Sequence, residues 1–308
     1  MRTILPLLFV GAALCLAGNS TLAQSVNGTI DAAYGSARTV QNTQTGFGKS
    51  TNGAVDNANG SELDAGYGII KNGTLYLGFA GNLESNFNKL DLFIQTGAGG
   101  QNVLRGDNPN IDFNGLNNMS GLTFKSGFAP NYYLNVTNGG SPISVYANYS
   151  ELNSAGGGNG YYLGSGTPGS GALGGGTNPN NIQVGLNNSN TAGVGAGSGT
   201  DPGNGAGVHT GVTLGIPLSA LGNPTGPISV FGFINSGDHT FLSNQVLGGI
   251  GGGGNLGSPS SVNFNTFGAF ASPFVVPAAV PEPSALALMV CGGLSLLGLR
   301  RRKASRAK

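Results

Sequence analysis

Three groups of residues have the types and spacing that could do chemistry. His209 and His239 are the two histidines of the chain. Asp238, His239 and any of many serines could supply a Ser-His-Asp hydrolase set. Neighbours on a strand point to opposite faces, which works against Asp238 and His239 serving one site. Asp107, Asn108, Asn110, Asp112 and Asn114 form an oxygen-rich loop closing at Gly115. Its carboxylates, Asp107 and Asp112, are the candidate Ca²⁺ ligands, but the glutamate that ends a twelve-residue calcium loop is missing. Solvated turn residues are the favoured reading there. Nine tyrosines, paired at Tyr132-Tyr133 and Tyr161-Tyr162, could stack on sugar rings, with one ring of each pair turned to the core. Gly164-x-Gly166-x-x-Gly169 matches a dinucleotide-binding string without its strand-to-helix setting, in a chain where glycine is everywhere. No catalytic set, cofactor or metal is expected, and the chain reads as non-enzymatic.

The elements that would position these residues are strands. Short apolar runs alternate with Gly/Asn turns, and no amphipathic helix is evident between 24 and 280. Segments 62–70 and 74–80 flank Asn72-Gly73, a pair that tolerates the positive φ angles of a type I′ hairpin. In the second, Leu75, Leu77 and Phe79 share one face. Leu90, Leu92 and Ile94 alternate with Asp91, Phe93 and Gln95 in the next. Runs at 133–136, 143–149, 182–186, 208–216, 228–234 and 262–270 bring the total to about nine strands. That count and spacing predict an all-β fold, an antiparallel β-sandwich of jelly-roll type. The Gly/Asn/Ser/Thr-rich stretch 153–207 is expected to be mostly a mobile insertion, because glycine loses the most backbone entropy on ordering. Its island at 182–186 is expected to add a strand.

The two ends carry different information. Arg2, an apolar run over 4–17 and small residues at Thr21 and Ala23 predict a signal peptide over 1–23, cut between Ala23 and Gln24; a buried N-terminal helix or strand is the alternative. At the other end, a linker over 276–283 contains Pro281-Glu282-Pro283. An apolar span follows over 284–299, and then the basic tail 300–308, which includes Arg300, Arg301 and Arg302. Sixteen residues make about 24 Å of helix, a little short of the ~30 Å hydrocarbon core. The arginine stems can make up part of that deficit. Two prolines keep the junction extended and accessible to a protease, and the basic tail is expected to stay cytoplasmic. An ordinary single-pass anchor is the alternative.

Composition narrows the remainder, an exported domain over 24–275. The cysteines, Cys15 and Cys291, both lie in the terminal segments, so disulfides and thiolate metal sites are not expected between them. Residues 24–280 hold six basic and eleven acidic side chains, a net charge of −5, with no Lys or Arg from 126 to 299. Such a surface argues against nucleic-acid partners.

Several strings resemble known families. The Pro-Glu-Pro turn, short apolar helix and basic stop resemble the PEP-CTERM sorting signal of exported bacterial proteins. That resemblance implies an exosortase-type membrane protease as partner, transient anchoring at the inner membrane, and delivery to the cell surface or extracellular matrix, in association with extracellular polysaccharide. Gly28-Thr29-Ile30-Asp31-Ala32-Ala33-Tyr34 resembles the opening strand of family-9-type carbohydrate-binding modules and DOMON-like sandwiches. Ile216-Pro217-Leu218-Ser219-Ala220-Leu221-Gly222 is similar to a strand-to-turn string late in the same folds. The segment 81–90 and Leu242-Ser243-Asn244-Gln245 resemble a group of exported PEP-CTERM proteins. The sandwich resemblance implies carbohydrate binding; having no Trp, this chain would have to build its stacking platform from Tyr.

Overall fold

The computed structural model describes residues 24–43, 45, 47, 60–190 and 207–278. Both ends, with Ala23, Pro281, Glu282, Pro283 and Arg300 to Arg302, lie outside them. Among the described residues no helix is long and apolar enough to cross a membrane; the span expected over 284–299 is not among them.

The fold is all-β, with two antiparallel sheets packed face to face. The smaller sheet holds β1 (Thr39–Val40), β2 (Glu62–Lys71), β3 (Thr74–Asn82), β9 (Gln183–Leu186) and β10 (Gly211–Pro217), in the order β1-β2-β3-β10-β9. The larger holds β4 (Asn86–Gln95), β5 (Tyr132–Gly139), β6 (Ser144–Glu151), β7 (Gly160–Gly166), β8 (Gly174–Gly175), β11 (Ile228–Asn235), β12 (Leu242–Val246) and β13 (Phe274–Val276). Its order is β12-β11-β4-β5-β6-β7-β8, with β13 also on β11. Asn72 and Gly73 take φ of 49° and 73° between β2 and β3, the backbone a two-residue type I′ turn requires. Alternation then sorts the side chains. Leu75 and Leu77 of β3, Leu90, Leu92 and Ile94 of β4 and Leu214 of β10 fill the core between the sheets.

The larger sheet is buried on its outer face as well. Phe93, Tyr133, Phe231 and Phe233 point away from the inter-sheet core, too apolar to be left in water. Two long excursions cover them. Residues 96–131 contribute Leu116, Met119 and Phe124; residues 247–271 contribute Val262 and Phe264. Phe93 and Phe124 lie 4.7 Å apart, centroid to centroid, and Phe231 and Phe264 4.9 Å. A third cluster, with Ile30, Tyr34 and Tyr67, lies on the smaller sheet. Burial lifts the Tyr34 phenol to about 12, and its hydroxyl donates to the Ser25 carbonyl at 2.6 Å.

Two expectations are corrected. Residues 262–270 form no strand; 3₁₀ turns occupy Pro259–Ser261 and Phe264–Phe267. Val262 and Phe264 are drawn down onto the outer aromatic cluster, and the backbone bonds the neighbouring excursion instead of a sheet (Phe264 N–H to Thr123 C=O, 2.9 Å). Within the glycine-rich stretch, residues 160–166, expected as loop, are strand: β7 pairs with β6 from Ser150↔Gly160 to Val145↔Gly166, and β8 follows, while the strand expected at 182–186 is present as β9. Ladder bonds offset the entropy cost of ordering. At Gly164 a side chain would collide with the Gly174 carbonyl, so part of that glycine content is what allows the strands to approach.

The strings behind the sandwich resemblance adopt local turns. Asp31 caps a 3₁₀ turn at Ala32–Tyr34, its Oδ1 accepting from the Ala33 N–H at 2.9 Å, and Thr29 makes a single bridge to Thr210. β10 ends at Pro217 and passes into the 3₁₀ turn Leu218–Leu221, closed by Gly222 at φ 72°.

Candidate functional site

The excursions cover only part of the outer face. Beyond Phe93 and Tyr133 the same face of β4 to β7 becomes polar and stays open. Register builds two rows across it. Lys89 lies opposite Thr137, which lies opposite Tyr146; Asp91 lies opposite Asn135, then Asn148, then Tyr162. Between these rows and their borders is a groove of about 490 Å³.

Aromatic side chains border it. Phe87 stands on a bulge of β4 at φ 69°, 45% exposed, with its ring 6.2 Å from that of Tyr146. A Cβ on Gly139 would sit 2.6 Å from that ring, so the absent side chain on β5 makes room for it. Phe113 comes from the covering excursion and is fully exposed at 102%. Tyr162 on β7 is 42% exposed. The tyrosine pairs do divide: Tyr161 packs on the inter-sheet core and Tyr162 on the groove, while Tyr133 is buried in the outer core and Tyr132 lies against the inner one.

The floor is an ion pair. Lys89 Nζ lies 3.0 Å from Asp112 Oδ1 and 2.9 Å from Oδ2, with the two side chains only 6% and 7% exposed. Asn135 donates to Asp112 Oδ2 at 2.7 Å, and Asn148 donates to Asn135 Oδ1 at 2.9 Å. Beneath them a fully buried set supports the floor. The Tyr133 hydroxyl donates to Asp91 Oδ1 at 2.6 Å, and His239 Nε2 lies 3.0 Å from the same oxygen. Burial, then the Asp91 charge, pushes the Tyr133 phenol well above its usual range, so it stays a donor. A side chain on Gly115 would collide with the His239 ring.

Backbone strain gathers at this place. Nine non-glycine residues among those described have positive φ, and five of them are Phe87, Asp112, Phe113, Asn114 and His239. Three are consecutive, at 47°, 54° and 70°, a left-handed turn that each L-residue resists. Such strain persists where surrounding structure holds it, and it clusters at functional sites. Here it carries Asp112 inward to Lys89 while sending Phe113 outward.

The other candidates are dispersed. Asp107 forms a two-point pair with Arg105, at 2.7 and 2.6 Å, which holds its carboxyl below the usual range. Asp112 is committed to Lys89, and Asn114 Oδ1 accepts from Asn117 at 2.7 Å, so the oxygens of that loop do not converge. Asp238 accepts from Ser236 and Thr240, while His239 turns inward to Asp91 and Tyr133. Among the described residues no Ser-His-Asp set forms around His239. His209 is exposed on the smaller sheet, beside Asp31 and Tyr67. Gly164 and Gly166 are strand residues of β7.

Sequence reasoning missed Phe87, Lys89, Phe113, Thr137, Tyr146 and Asn148. The available signal was Lys89 and Asp91 alternating with Leu90 and Leu92: two charges on a strand whose other face is apolar. Fold and groove together define an all-β domain with an aromatic-bordered cleft on one sheet. No protein-family model matches the chain, and no curated protein or solved structure is significantly similar to it.

Proposed function

We propose that this chain is an exported, non-enzymatic β-sandwich protein of jelly-roll type that binds carbohydrate in the groove. We propose also that it is sorted to the cell surface or extracellular matrix through a PEP-CTERM tail cut by an exosortase-type protease. The observation that carries the binding reading is the exposure of Phe87, Phe113 and Tyr162 around a floor of paired polar groups. A pyranose ring has an apolar C–H face, which suits an aromatic ring, and an edge of hydroxyls, which suits a polar floor. Tyr and Phe here take the place a Trp platform would fill. The jelly-roll reading is supported by topology: β3→β4 and β10→β11 both pass between sheets, and β3 pairs β10 as β4 pairs β11. Non-enzymatic function is supported by Asp91 and His239 being fully buried under the floor, where they can hold Asn135 and Asp112 but touch no ligand.

The test of binding is Phe113→Gly. Burying a phenylalanine against a ligand contributes about 1.5–3 kcal/mol, and tenfold in affinity corresponds to ~1.4 kcal/mol. Affinity of the purified full chain for its best glycan on an array is expected to fall by about tenfold to a hundredfold. The melting temperature is expected to hold or rise, because glycine tolerates φ 54° where phenylalanine is strained. Undiminished affinity would end the reading. For sorting, deleting 300–308, or replacing Pro281-Glu282-Pro283 by alanines, is expected to leave unprocessed protein in the inner membrane. A mature product of normal mass from either variant rules that route out.

A further inference from the structure

We infer that the groove selects uncharged glycans, and that the Lys89–Asp112 pair reads their hydroxyls; this rests on the carbohydrate reading above. Among the described residues, Lys89 and Asp112 are the charged side chains lining the groove, and they neutralise one another. An acidic sugar needs a cation that is not already committed, and Lys89 contacts both oxygens of Asp112 at 3.0 Å or less. Drawing Lys89 away would strand a carboxylate whose side chain is 7% exposed, a costly state for a charge shielded from water. A cationic sugar meets the converse problem. The field of the exported region opposes polyanions as well, since residues 24–280 carry a net charge of −5.

A hydroxyl fits because it both donates and accepts. Lys89 Nζ has three donors, and two are directed at the two Asp112 oxygens. Asp112 Oδ2 accepts from Asn135 and lies 2.9 Å from Lys89 Nζ, while Oδ1 accepts from Lys89 and has no other donor among the described residues. One ammonium proton and one lone pair on Oδ1 are therefore left at adjacent atoms. Two neighbouring ring hydroxyls can satisfy them together, one accepting from Nζ and the next donating to Oδ1. Both bonds are charge-assisted and made in a partly desolvated groove, where such bonds are strong. Phe113 and Tyr162 then hold the ring face. Asn135, braced by Asn148, keeps Asp112 turned to Lys89 without a ligand.

The experiment is calorimetric titration of the full chain with neutral oligosaccharides (glucans, mannans, xylans) and with uronic-acid oligomers of matched length, each at low and high salt. Neutral oligomers are expected to bind, with Kd changing less than about twofold between the salts, because no net charge is screened. Uronic-acid oligomers are expected to bind at least about tenfold more weakly, through the unpaired buried charge they create. The double variant Lys89→Met/Asp112→Leu removes the reader while keeping the site neutral, and about tenfold or greater loss for the neutral oligomers is expected. The salt arms use the unaltered protein, so they decide the question even if that variant fails to fold. Tighter binding of the uronic-acid oligomers, weakening with salt and still lost in Phe113→Gly, would overturn the selection of uncharged glycans and leave the carbohydrate reading standing. Unchanged affinity in the double variant would overturn the role given to the ion pair. Failure of every saccharide to bind would remove the carbohydrate reading itself.

Discussion

Lys89→Ala is expected to lower the unfolding free energy by about 3–5 kcal/mol, the cost of leaving one partner of a buried pair alone. Both side chains are more than nine-tenths buried, and Asp112 keeps only the amide of Asn135 as a close donor once Lys89 is gone. The double variant Lys89→Met/Asp112→Leu is expected to recover most of that loss, since apolar groups of similar volume often replace buried ion pairs at little cost. Urea titrations of the unaltered protein, Lys89→Met, Asp112→Leu and the double variant measure the coupling directly. A loss under about 1 kcal/mol for Lys89→Ala would mean the pair behaves as a surface salt bridge, and the floor would not be the rigid reader described above. The pair is retained, on this view, because the groove needs it and not because the fold does.

Phe124→Ala is expected to cost about 3–5 kcal/mol, the range for a large aromatic removed from a packed core. Phe124 has no exposed surface and stacks among Phe93, Phe128, Phe231 and Phe264. It is the main plug by which the 96–131 excursion grips the larger sheet. Because Asp112 and Phe113 ride on that excursion, glycan affinity is expected to fall with stability, although Phe124 is not a groove residue. A single cooperative transition, shifted as a whole, is the outcome consistent with one folding unit. A separate early transition, with the remainder unchanged, would show the excursion to be a detachable cover.

Much of the local structure could be read from the chain. Asn72-Gly73 demanded a hairpin, and alternation in 74–80 and 90–95 named the faces. The errors have one cause, which is that propensity is local and burial is not. Segment 262–270 has strand-like residues, yet the outward-facing phenylalanines of β4 and β11 claimed Val262 and Phe264 as a lid. Segment 160–166 reads as loop by its glycines, yet β6 offered it a ladder. The groove was less legible still. Lys89, Thr137 and Tyr146 become neighbours only once three strands are in register, and Asp112 reaches Lys89 only through a left-handed turn that no propensity favours.

The chain by itself determined that its fold would be all-β, where its tight hairpin would fall, that residues 24–280 would be acidic, and which terminal segments resemble sorting signals. All of these depend on nearest neighbours in sequence or on summed charge. Tertiary structure alone decided which part of the larger sheet's outer face would be covered and which left open. It also decided that an aspartate and a lysine 23 residues apart would meet at the bottom of an aromatic cleft. Those outcomes depend on contacts between distant segments competing to bury the same apolar surface, and that competition is settled only when the chain is folded.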